Sequence, residues 1–483
     1  MTIKIESPTQ LSVQDIANFA RLRTRSSRRL LQTVGLVFVL LTIANLCFPR
    51  SYLLSVTGNS PLFVPLPPAP RFPEHFVHGS RVPGTESVFL MVKTGATVLW
   101  KRLPVHLNVT FPQVENYAIY SDAPDSFAGI PVIDTLANVS ERLRLSDAFI
   151  TYRQQQGILR ERPEIGAEEL AAVVKDAWWL DRFKNLPMLA HAYRTKPNAK
   201  WYIFIDGDTF VFWTRLMRWL NTLNPDDVLY MGSRATTGDE DFAHGGSGVV
   251  LSNGLMRKVF GRWRTPIEYE YDDFSIADCC GDHVLAHALL EEGIPLSHGP
   301  GYPHVRKRFQ GEPPSLVYLS PKDWCEEIVT FHHLTPQETT ELYDFEAQFG
   351  PTEPILYKDV YNRFVMPHIK PGRKGNWDNG SSGKKYTPPT ENDGVQTEVG
   401  ETAYTSHAEC RKKCDSDPEC LQFKYKKDCC ILSDTIRLGQ ADLSGGDAFS
   451  SEWNIGKIRA MRKDSGCDRL YDVDEEEGSF YID

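Results

Sequence analysis

The sequence lacks an excess of positive charge, an internal repeat and a zinc-binding pattern. Its 53 basic residues are outnumbered by 63 acidic ones, which gives a formal net charge of -10. Non-specific nucleic-acid binding depends on a basic surface, so the composition argues against that class of protein. The ten cysteines are not interleaved with spaced histidines, which argues against a zinc site. The length of 483 residues predicts a globular protein with about three domains, or with one large domain and smaller accessory domains.

Long uncharged apolar runs are also scarce, and the one that matters covers residues 30–48. Its length is close to the roughly 20 residues that a membrane-spanning helix needs. A secretory signal peptide, and with it a soluble secreted protein, is the competing interpretation, but its apolar core has only about 7–15 residues. Six basic residues precede the run within residues 1–29, while only Arg50 follows it closely. The positive-inside rule therefore predicts a cytosolic tail, a type II signal anchor and a lumenal remainder.

Composition also divides the lumenal part. Residues 49–85 are predicted to form an extended stem, because prolines are dense there and cannot occupy helices or inner strands. Residues 86–369 have the patterns of a large folded domain. Residues 370–400 are rich in Gly, Pro, Ser and Asn, which predicts a linker between domains.

Six of the ten cysteines lie within residues 401–467, which predicts a disulfide-rich module in an oxidising compartment. Residues 468–483 carry seven acidic residues and one arginine, a composition typical of a solvated tail. Glycosylation sequons on the predicted lumenal side occur at Asn108, Asn138 and Asn379.

Strand and helix patterns alternate along residues 86–369. Apolar strand patterns begin at Val88 and at Tyr117, and each ends in polar residues. Helical spacing follows from Leu170 to Phe183, and we expect Pro187 to end that helix and Thr214 to cap the next. The alternation predicts an α/β fold with a mainly parallel sheet and helices on both faces.

The stretch Lys200–Val211 carries the strongest chemical signal. The aromatic and β-branched run Trp201–Ile205 suits a buried strand, and it leads directly into Asp206-Gly207-Asp208. Ligands of open α/β sheets bind beyond the carboxyl ends of the strands, so both carboxylates are predicted to face a ligand. Such an acidic pair suits a divalent cation that also bridges to phosphate. A solvated Asp-Gly turn is the alternative interpretation.

Three further signals follow along the chain. His244–Gly248 is a glycine-rich loop that allows close backbone approach, although such a loop is often only a turn. Asp278–His283 leads into helical spacing, so Asp282 is predicted near a helix N-terminus, where a capping role is the alternative. The segment Phe331–Leu334 contains the pair His332-His333, and a single histidine there is often structural.

Together, these four signals resemble the fringe-like β1,3-glycosyltransferases, including the core-1 β1,3-galactosyltransferases. The resemblance covers roughly residues 86–345 and includes Val92–Thr94, Tyr120–Asp122 and Trp178–Leu189. It implies a GT-A (Rossmann-like) fold, a UDP-sugar donor, and Mn²⁺ or another divalent cation. The type II anchor and the stem match the same class of Golgi enzymes, so the resemblance implies the membrane of the Golgi or of the endoplasmic reticulum, with the catalytic domain in the lumen.

The resemblance also implies a role for each candidate residue. Asp208 matches the metal-ligating last acid of the family's Asp-x-Asp motif. His332 matches the histidine that completes the metal site, with His333 as the alternative. Asp282 matches the general base that acts on the acceptor hydroxyl. Contacts with the donor are implied for Thr94, Asp122, Asp206, Gly245, Gly246 and Gly248.

Two departures from the family pattern stand out. Gly207 replaces the middle one of three consecutive acids, and Gly281 replaces the first member of an acidic pair. The outer acid that faces the metal is kept, so the resemblance still implies an active enzyme. It would transfer a hexose or N-acetylhexosamine, with inversion, from a UDP-sugar to a glycan or glycoprotein acceptor. Acceptor specificity is expected in loops such as 265–275 and 298–325. A catalytically silent, membrane-tethered carbohydrate- or protein-binding protein is the alternative.

The cysteine-rich module resembles a PAN/Apple domain over about residues 400–467. The resemblance rests on Cys410-x3-Cys414-x5-Cys420, the pair Cys429-Cys430 and Leu438-Gly439. Such domains bind protein or carbohydrate. Bridges are expected between Cys414 and Cys420, and from Cys410 to Cys429 or Cys430, with the connectivity left open.

Overall fold

The computed structural model describes residues 79–261, 270–297, 305–388 and 402–464. Within these ranges, no helix combines the length and the apolar character needed to cross a bilayer. Several predicted segments lie outside the described residues: the cytosolic tail, the membrane anchor, most of the stem, the acidic tail and parts of the two acceptor loops.

A mainly parallel sheet forms the centre of the α/β region. Its seven strands are arranged in the order β3-β4-β2-β1-β5-β10-β7 once the strands are numbered along the chain. The strands are β1 (Val88–Lys93), β2 (Tyr117–Ser121), β3 (Asp125–Phe127), β4 (Ile130–Asp134), β5 (Trp201–Asp206), β6 (Phe210–Val211), β7 (Tyr230–Gly232), β8 (Arg234–Thr237), β9 (Glu240–Ala243), β10 (Val249–Ser252) and β11 (Thr330–Phe331). β4, β2, β1 and β5 are parallel neighbours, whereas β3 and β10 run against them. The predicted α/β fold with a mainly parallel sheet is therefore confirmed.

Helices cover both faces of this sheet. The α-helices of the region are α1 (Leu99–Arg102), α2 (His106–Val109), α3 (Glu141–Leu145), α4 (Ile150–Glu161), α5 (Ala167–Val173), α6 (Asn185–Thr195), α7 (Trp213–Leu220), α8 (Asn253–Phe260), α9 (Asp272–Ala277), α10 (Gly281–Glu291), α11 (Val305–Arg308), α12 (Pro336–Glu346) and α13 (Tyr357–Val360). Shorter 3-10 turns include Ala177–Phe183 and Gly245–Ser247.

The side chains of β1 and β5 alternate between two apolar cores. Phe89 and Phe204 pack with α6, α8 and α10 in one core. Leu90 and Ile203 pack with α1 and α7 in the other core. Successive side chains of a strand point to opposite faces, so a strand buried on both sides is apolar at nearly every position. This explains why Trp201–Ile205 has no polar residue.

Two predicted helix boundaries are wrong. Pro187 does not end a helix, because it lies in the first turn of α6, where the missing N–H has no helical partner to lose. The predicted helix from Leu170 to Phe183 is instead divided into α5 and a 3-10 segment. Thr214 does not cap α7, since the helix already begins at Trp213.

The C-terminal module is a small antiparallel sheet with one helix packed on it. Its elements are β12 (Trp377–Asp378), β13 (Lys385–Tyr386), α14 (His407–Ser416), β14 (Gln422–Lys426), β15 (Cys429–Ser433), β16 (Gln440–Ala441), β17 (Ser450–Trp453) and α15 (Ile455–Asp464). The sheet order is β13-β15-β14-β17. The bridge between Cys414 and Cys420 is confirmed, and Cys410 pairs with Cys430, which leaves Cys429 as a buried thiol. The PAN/Apple resemblance stays a prediction.

This module shares an apolar core with the α/β region. Leu319 and Ile436 exchange two backbone hydrogen bonds of 3.0 Å across the boundary. Trp324 belongs to the same buried cluster as Trp453 and Ile458. The module is therefore packed against the α/β region along a continuous interface.

Part of the segment predicted to be a linker is structured. β12 and β13 lie within it and pair with β16 and β15. Asn379 follows β12, is fully buried, and donates a 3.0 Å hydrogen bond from Nδ2 to the carbonyl of Phe423. Its sequon is thus inaccessible in the folded protein, whereas Asn108 and Asn138 are exposed.

Candidate active site

The carboxyl ends of β1 and β5 place the candidate residues. Lys93, the last residue of β1, lies opposite Asp206, the last residue of β5. The chain then turns through Gly207, and the N–H of Thr209 donates a 3.0 Å hydrogen bond to the Asp206 carbonyl. Both acids of the Asp-x-Asp motif therefore emerge at the end of the sheet where ligands of α/β proteins bind.

A short antiparallel pair brings His332 beside this turn. Phe331 in β11 pairs with Phe210 in β6, so the next residue, His332, reaches the Asp-x-Asp segment. Its Nε2 lies 3.3 Å from Asp208 Oδ1 and 3.9 Å from Asp206 Oδ2. The adjacent His333 is exposed, with a φ of 57°, but its ring also reaches the cluster of potential ligands.

Asp208, His332 and His333 fit a divalent cation. One ligand atom from each residue falls within 4.8 Å of the others. Among the described residues, the buried atoms Asp208 Oδ1 and His332 Nδ1 make no hydrogen bond. Carboxylate and imidazole ligands together suit Mn²⁺ and related metals. The residues predicted from the sequence thus converge on one cluster that could hold a metal ion, with His332 buried and His333 at the rim.

Neighbouring groups shift the pKa values of Asp208, His332 and Asp206 in different ways. Burial alone would raise the pKa of Asp208, but His332 and Arg102 outweigh it and hold that pKa below its usual value. Burial would lower the pKa of His332, yet Asp208 and Asp206 raise it. For Asp206, burial dominates and raises the pKa, despite the nearby charge of Lys93. The outer acid is therefore the more readily ionised of the two.

A buried network of charges underlies the two strand ends. Lys93 Nζ contacts Asp181 and lies 3.3 Å from Asp206 Oδ1. Lys184 Nζ lies 3.2 Å from Asp181 Oδ1 and 2.7 Å from Asp122 Oδ2. Burial would lower the pKa of Lys93, but the neighbouring carboxylates raise it, so the ammonium stays charged. The network fixes Asp206 and compensates its charge, since unpaired buried charges are strongly destabilising.

The glycine-rich loop fills the space between the two halves of the site. A Cβ on Gly246 would lie 2.0 Å from His332 Cε1, and a Cβ on Gly245 would lie 2.2 Å from Asp282 Oδ1. Gly248 has a φ of 89°, which few other residues adopt. The loop is held by Thr209 Oγ1, which donates a 2.7 Å hydrogen bond to the Gly246 carbonyl. A side chain would clash at Gly245 and Gly246, and the backbone conformation favours glycine at Gly248.

Asp282 lies in the first turn of α10, on the other side of this loop. Its carboxylate accepts hydrogen bonds from the Gly245 N–H at 2.7 Å and from Asn185 Nδ2 at 3.1 Å. These two donors orient the side chain, and each oxygen retains a free lone pair for a further proton donor. Asp282 is half-buried, so it remains accessible from the cleft.

The two remaining predicted donor contacts differ from each other. Thr94 follows β1, and its Oγ1 lies near Gly207, at 3.5 Å from the position of a Cβ there. Asp122 is buried, and its carboxylate accepts hydrogen bonds from the Ala96 N–H at 3.0 Å and Gln155 Nε2 at 2.8 Å, besides pairing with Lys184. Asp122 thus braces the loop after β1 from inside, and its predicted contact with a donor stays a prediction.

Several residues of the site were missed by sequence reasoning. Lys93, Asp181 and Lys184 lie in segments that the resemblance covers, but their pairing spans about 90 residues and has no local signature. Arg102 lies 3.0 Å from Asp208 Oδ2, and none of the motifs in the sequence includes it. The adjacent cysteines Cys279 and Cys280 form a disulfide directly before the turn that carries Asp282. The adjacency of the two cysteines in the sequence was the available signal.

Comparison with known families bears on the same segment. Residues 84–291 match the family model described as Fringe-like. This part of the chain is similar to the Fringe-like family. It contains the Asp-x-Asp turn, the glycine-rich loop and Asp282, while His332 lies beyond its end. The match supports a glycosyltransferase and the sugar donor and acceptor that such an enzyme uses.

The other comparisons add little to the match with the Fringe-like family model. No curated protein sequence matches the chain significantly. One solved structure with some similarity is described as a glycosyltransferase involved in the glycosylation of the major capsid of PBCV-1. It is 11% identical, the match covers 53% of this chain and 98% of that chain, and the TM-score is 0.20. A TM-score this low carries no argument about fold or activity.

Proposed function

We propose that the protein is a metal-dependent, inverting β1,3-glycosyltransferase of the secretory pathway. It would move a hexose or N-acetylhexosamine from a UDP-sugar to a glycan or glycoprotein acceptor. The observation that carries this proposal is the convergence of Asp208, His332 and Asp282 on the two sides of the Gly245–Gly246 loop.

The site residues have separable tasks in this proposal. Asp208 and His332, with His333 at the rim, would hold the divalent cation, which supplies positive charge for the departing UDP. Asp206, fixed by Lys93, would contact the ribose or the sugar of the donor. The glycine-rich loop presents backbone where the donor sugar lies, because side chains there are excluded by His332 and Asp282.

Asp282 would act as the general base. It accepts the proton of the acceptor hydroxyl while that oxygen attacks the anomeric carbon, and the bond from that carbon to UDP breaks. Such a single displacement inverts the anomeric configuration, so an α-linked donor yields a β-linked product. No covalent intermediate with the protein is needed, and the Gly245 N–H and Asn185 keep the carboxylate oriented.

The test is a donor screen on the full chain purified in detergent. UDP release is measured with UDP-Gal, UDP-GlcNAc, UDP-Glc and UDP-GalNAc, with and without Mn²⁺, because the sequence does not choose among these sugars. We expect release from at least one donor with Mn²⁺ and loss of release with a chelator. Asp208→Asn should lower the rate by about 100-fold, since removing one preorganised electrostatic group typically costs that much.

The matched control is Asp226→Asn, which also removes one carboxylate but at an exposed position paired with Arg257. Its rate should equal that of the unmodified protein. The proposed function fails if no UDP-sugar binds in the presence of Mn²⁺ and Asp208→Asn changes nothing. The silent, membrane-tethered binding protein would then be the better interpretation.

A further inference from the structure

Asp208 forms an ion pair with a positively charged side chain. Arg102, at the end of α1, places Nη2 3.0 Å from Asp208 Oδ2, while His332 Nε2 lies 3.3 Å from Asp208 Oδ1. The two carboxylate oxygens thus face nitrogen atoms of two different side chains. Asp208 is 8% exposed, whereas Arg102 is 37% exposed, so the arginine is the partner that has room to move.

Arg102 also lies beside Gly207, the position at which this sequence has glycine instead of the middle one of the family's three acids. A Cβ at position 207 would lie 3.3 Å from Arg102 Cβ and 3.1 Å from Leu103 Cδ2. These contacts are tighter than ordinary van der Waals contact, and an acidic side chain would extend further into the same space. Arg102 and Leu103 therefore leave little room in this turn for the third acid that the resemblance would place there. One acidic charge is missing here, and one basic charge stands beside the remaining outer acid.

We propose that Arg102 competes with the divalent cation for Asp208 and, once displaced, pairs with the diphosphate of the nucleotide-sugar donor. The inference rests on the proposed function, because it assumes a cation at Asp208 and a diphosphate beside it. Guanidinium forms strong, directional hydrogen bonds with carboxylate and phosphate alike, so one side chain can exchange the first partner for the second. Among the described acids, Asp208 is the ion-pair partner of Arg102.

The balance of charges favours the movement of Arg102 from Asp208 to the diphosphate once a cation and a donor are bound. A divalent cation on Asp208 removes the negative charge that holds Arg102 in place. The diphosphate of the donor then brings two negative charges to the same edge of the sheet. Arg102 is long enough, and sufficiently exposed, to follow that charge without movement of the buried network around Lys93.

The experiment measures metal binding separately from catalysis. Mn²⁺ binding to the full chain, without donor, is followed through the electron paramagnetic resonance signal of the free ion. Arg102→Met should bind Mn²⁺ about fivefold more tightly than the unmodified protein, which corresponds to ~1 kcal/mol. At saturating Mn²⁺, the same variant should bind UDP about tenfold more weakly by calorimetry. Arg102→Lys keeps the charge and should fall between the two proteins in both measurements.

Lys101→Met is the matched control, because it removes a positive charge from the same short helix at an exposed position that does not contact Asp208. It should leave both affinities unchanged. If the unmodified protein binds Mn²⁺ and UDP but Arg102→Met binds both equally well, the role of Arg102 is overturned while the proposed function stands. If neither protein binds Mn²⁺, the metal-dependent function fails and this inference fails with it.

Discussion

Replacing Gly246 with alanine should separate His332 from Asp208. The new Cβ would lie 2.0 Å from His332 Cε1, 2.4 Å from Nδ1 and 2.5 Å from Nε2. Carbon atoms pack at about 3.5–4.0 Å, so the imidazole has to move by about 1.5 Å. The ring is buried, and the rings of His244 and His333 lie 5.6 and 3.9 Å from it, centroid to centroid. It therefore has no free space to enter without disturbing the cluster.

The magnitude follows from two terms. Overpacking a well-packed site costs about 1–3 kcal/mol of folding free energy, so the protein should remain folded. Displacing a reacting or ligating group by about 1 Å can cost about 100-fold in rate. We therefore expect Gly246→Ala to lower UDP release by about 100-fold and to weaken Mn²⁺ binding by at least about tenfold, the latter read from the resonance signal of free Mn²⁺.

Gly254→Ala separates loss of the site from loss of stability. Its Cβ would meet the Asp226 carbonyl at 2.1 Å, a clash of the same size, at the start of α8 and at the opposite end of β10 from the glycine-rich loop. This variant should lower the melting temperature but keep the affinity for Mn²⁺. The reasoning is refuted if folded Gly246→Ala binds Mn²⁺ within twofold of the unmodified protein.

Two further predictions concern the C-terminal module. Burial, together with Arg373 and Arg411, lowers the pKa of His407 from 6.5 to about 4, so the unfolded chain binds this proton more readily. Stability should therefore fall as the pH falls from 6.5 to about 4, by up to ~3 kcal/mol. Urea unfolding of His407→Gln at several pH values should lack this component, and an unchanged slope would contradict the assignment. Replacing Cys414 and Cys420 together by serine opens a short loop and should lower the free energy of unfolding by ~2 kcal/mol. Urea unfolding measures this change. A loss below about 0.5 kcal/mol would mean that the bridge constrains the unfolded chain very little.

The parts of the fold that the sequence predicted well depend on local patterns. The run before Asp206 is apolar at every position because β5 is buried on both faces, and the acids follow because the strand ends there. The cysteine spacing correctly indicated the bridge between Cys414 and Cys420, since only five residues lie between them. Patterns of this kind are set by neighbours in the chain.

The parts that sequence reasoning missed depend on residues that are distant in the chain. Lys93 and Asp181 are 88 residues apart, and nothing in the sequence shows that the buried Lys93 pairs with Asp181. Pro187 gave the wrong helix boundary because the same residue can end one helix or occupy the first turn of another. Asn379 carries a sequon that only the tertiary hydrogen bond to Phe423 makes inaccessible.

The apolar core shared by the α/β region and the C-terminal module limits where the chain can be truncated. Leu319 and Trp324 belong to the α/β region, but Ile436, Trp453 and Ile458 complete the cluster that buries them. A chain that stops at the end of the α/β region would leave this cluster facing water, which invites aggregation. The C-terminal module therefore covers part of the hydrophobic core of the α/β region. Exchanging this module between related proteins would require exchanging the loop around Leu319 as well.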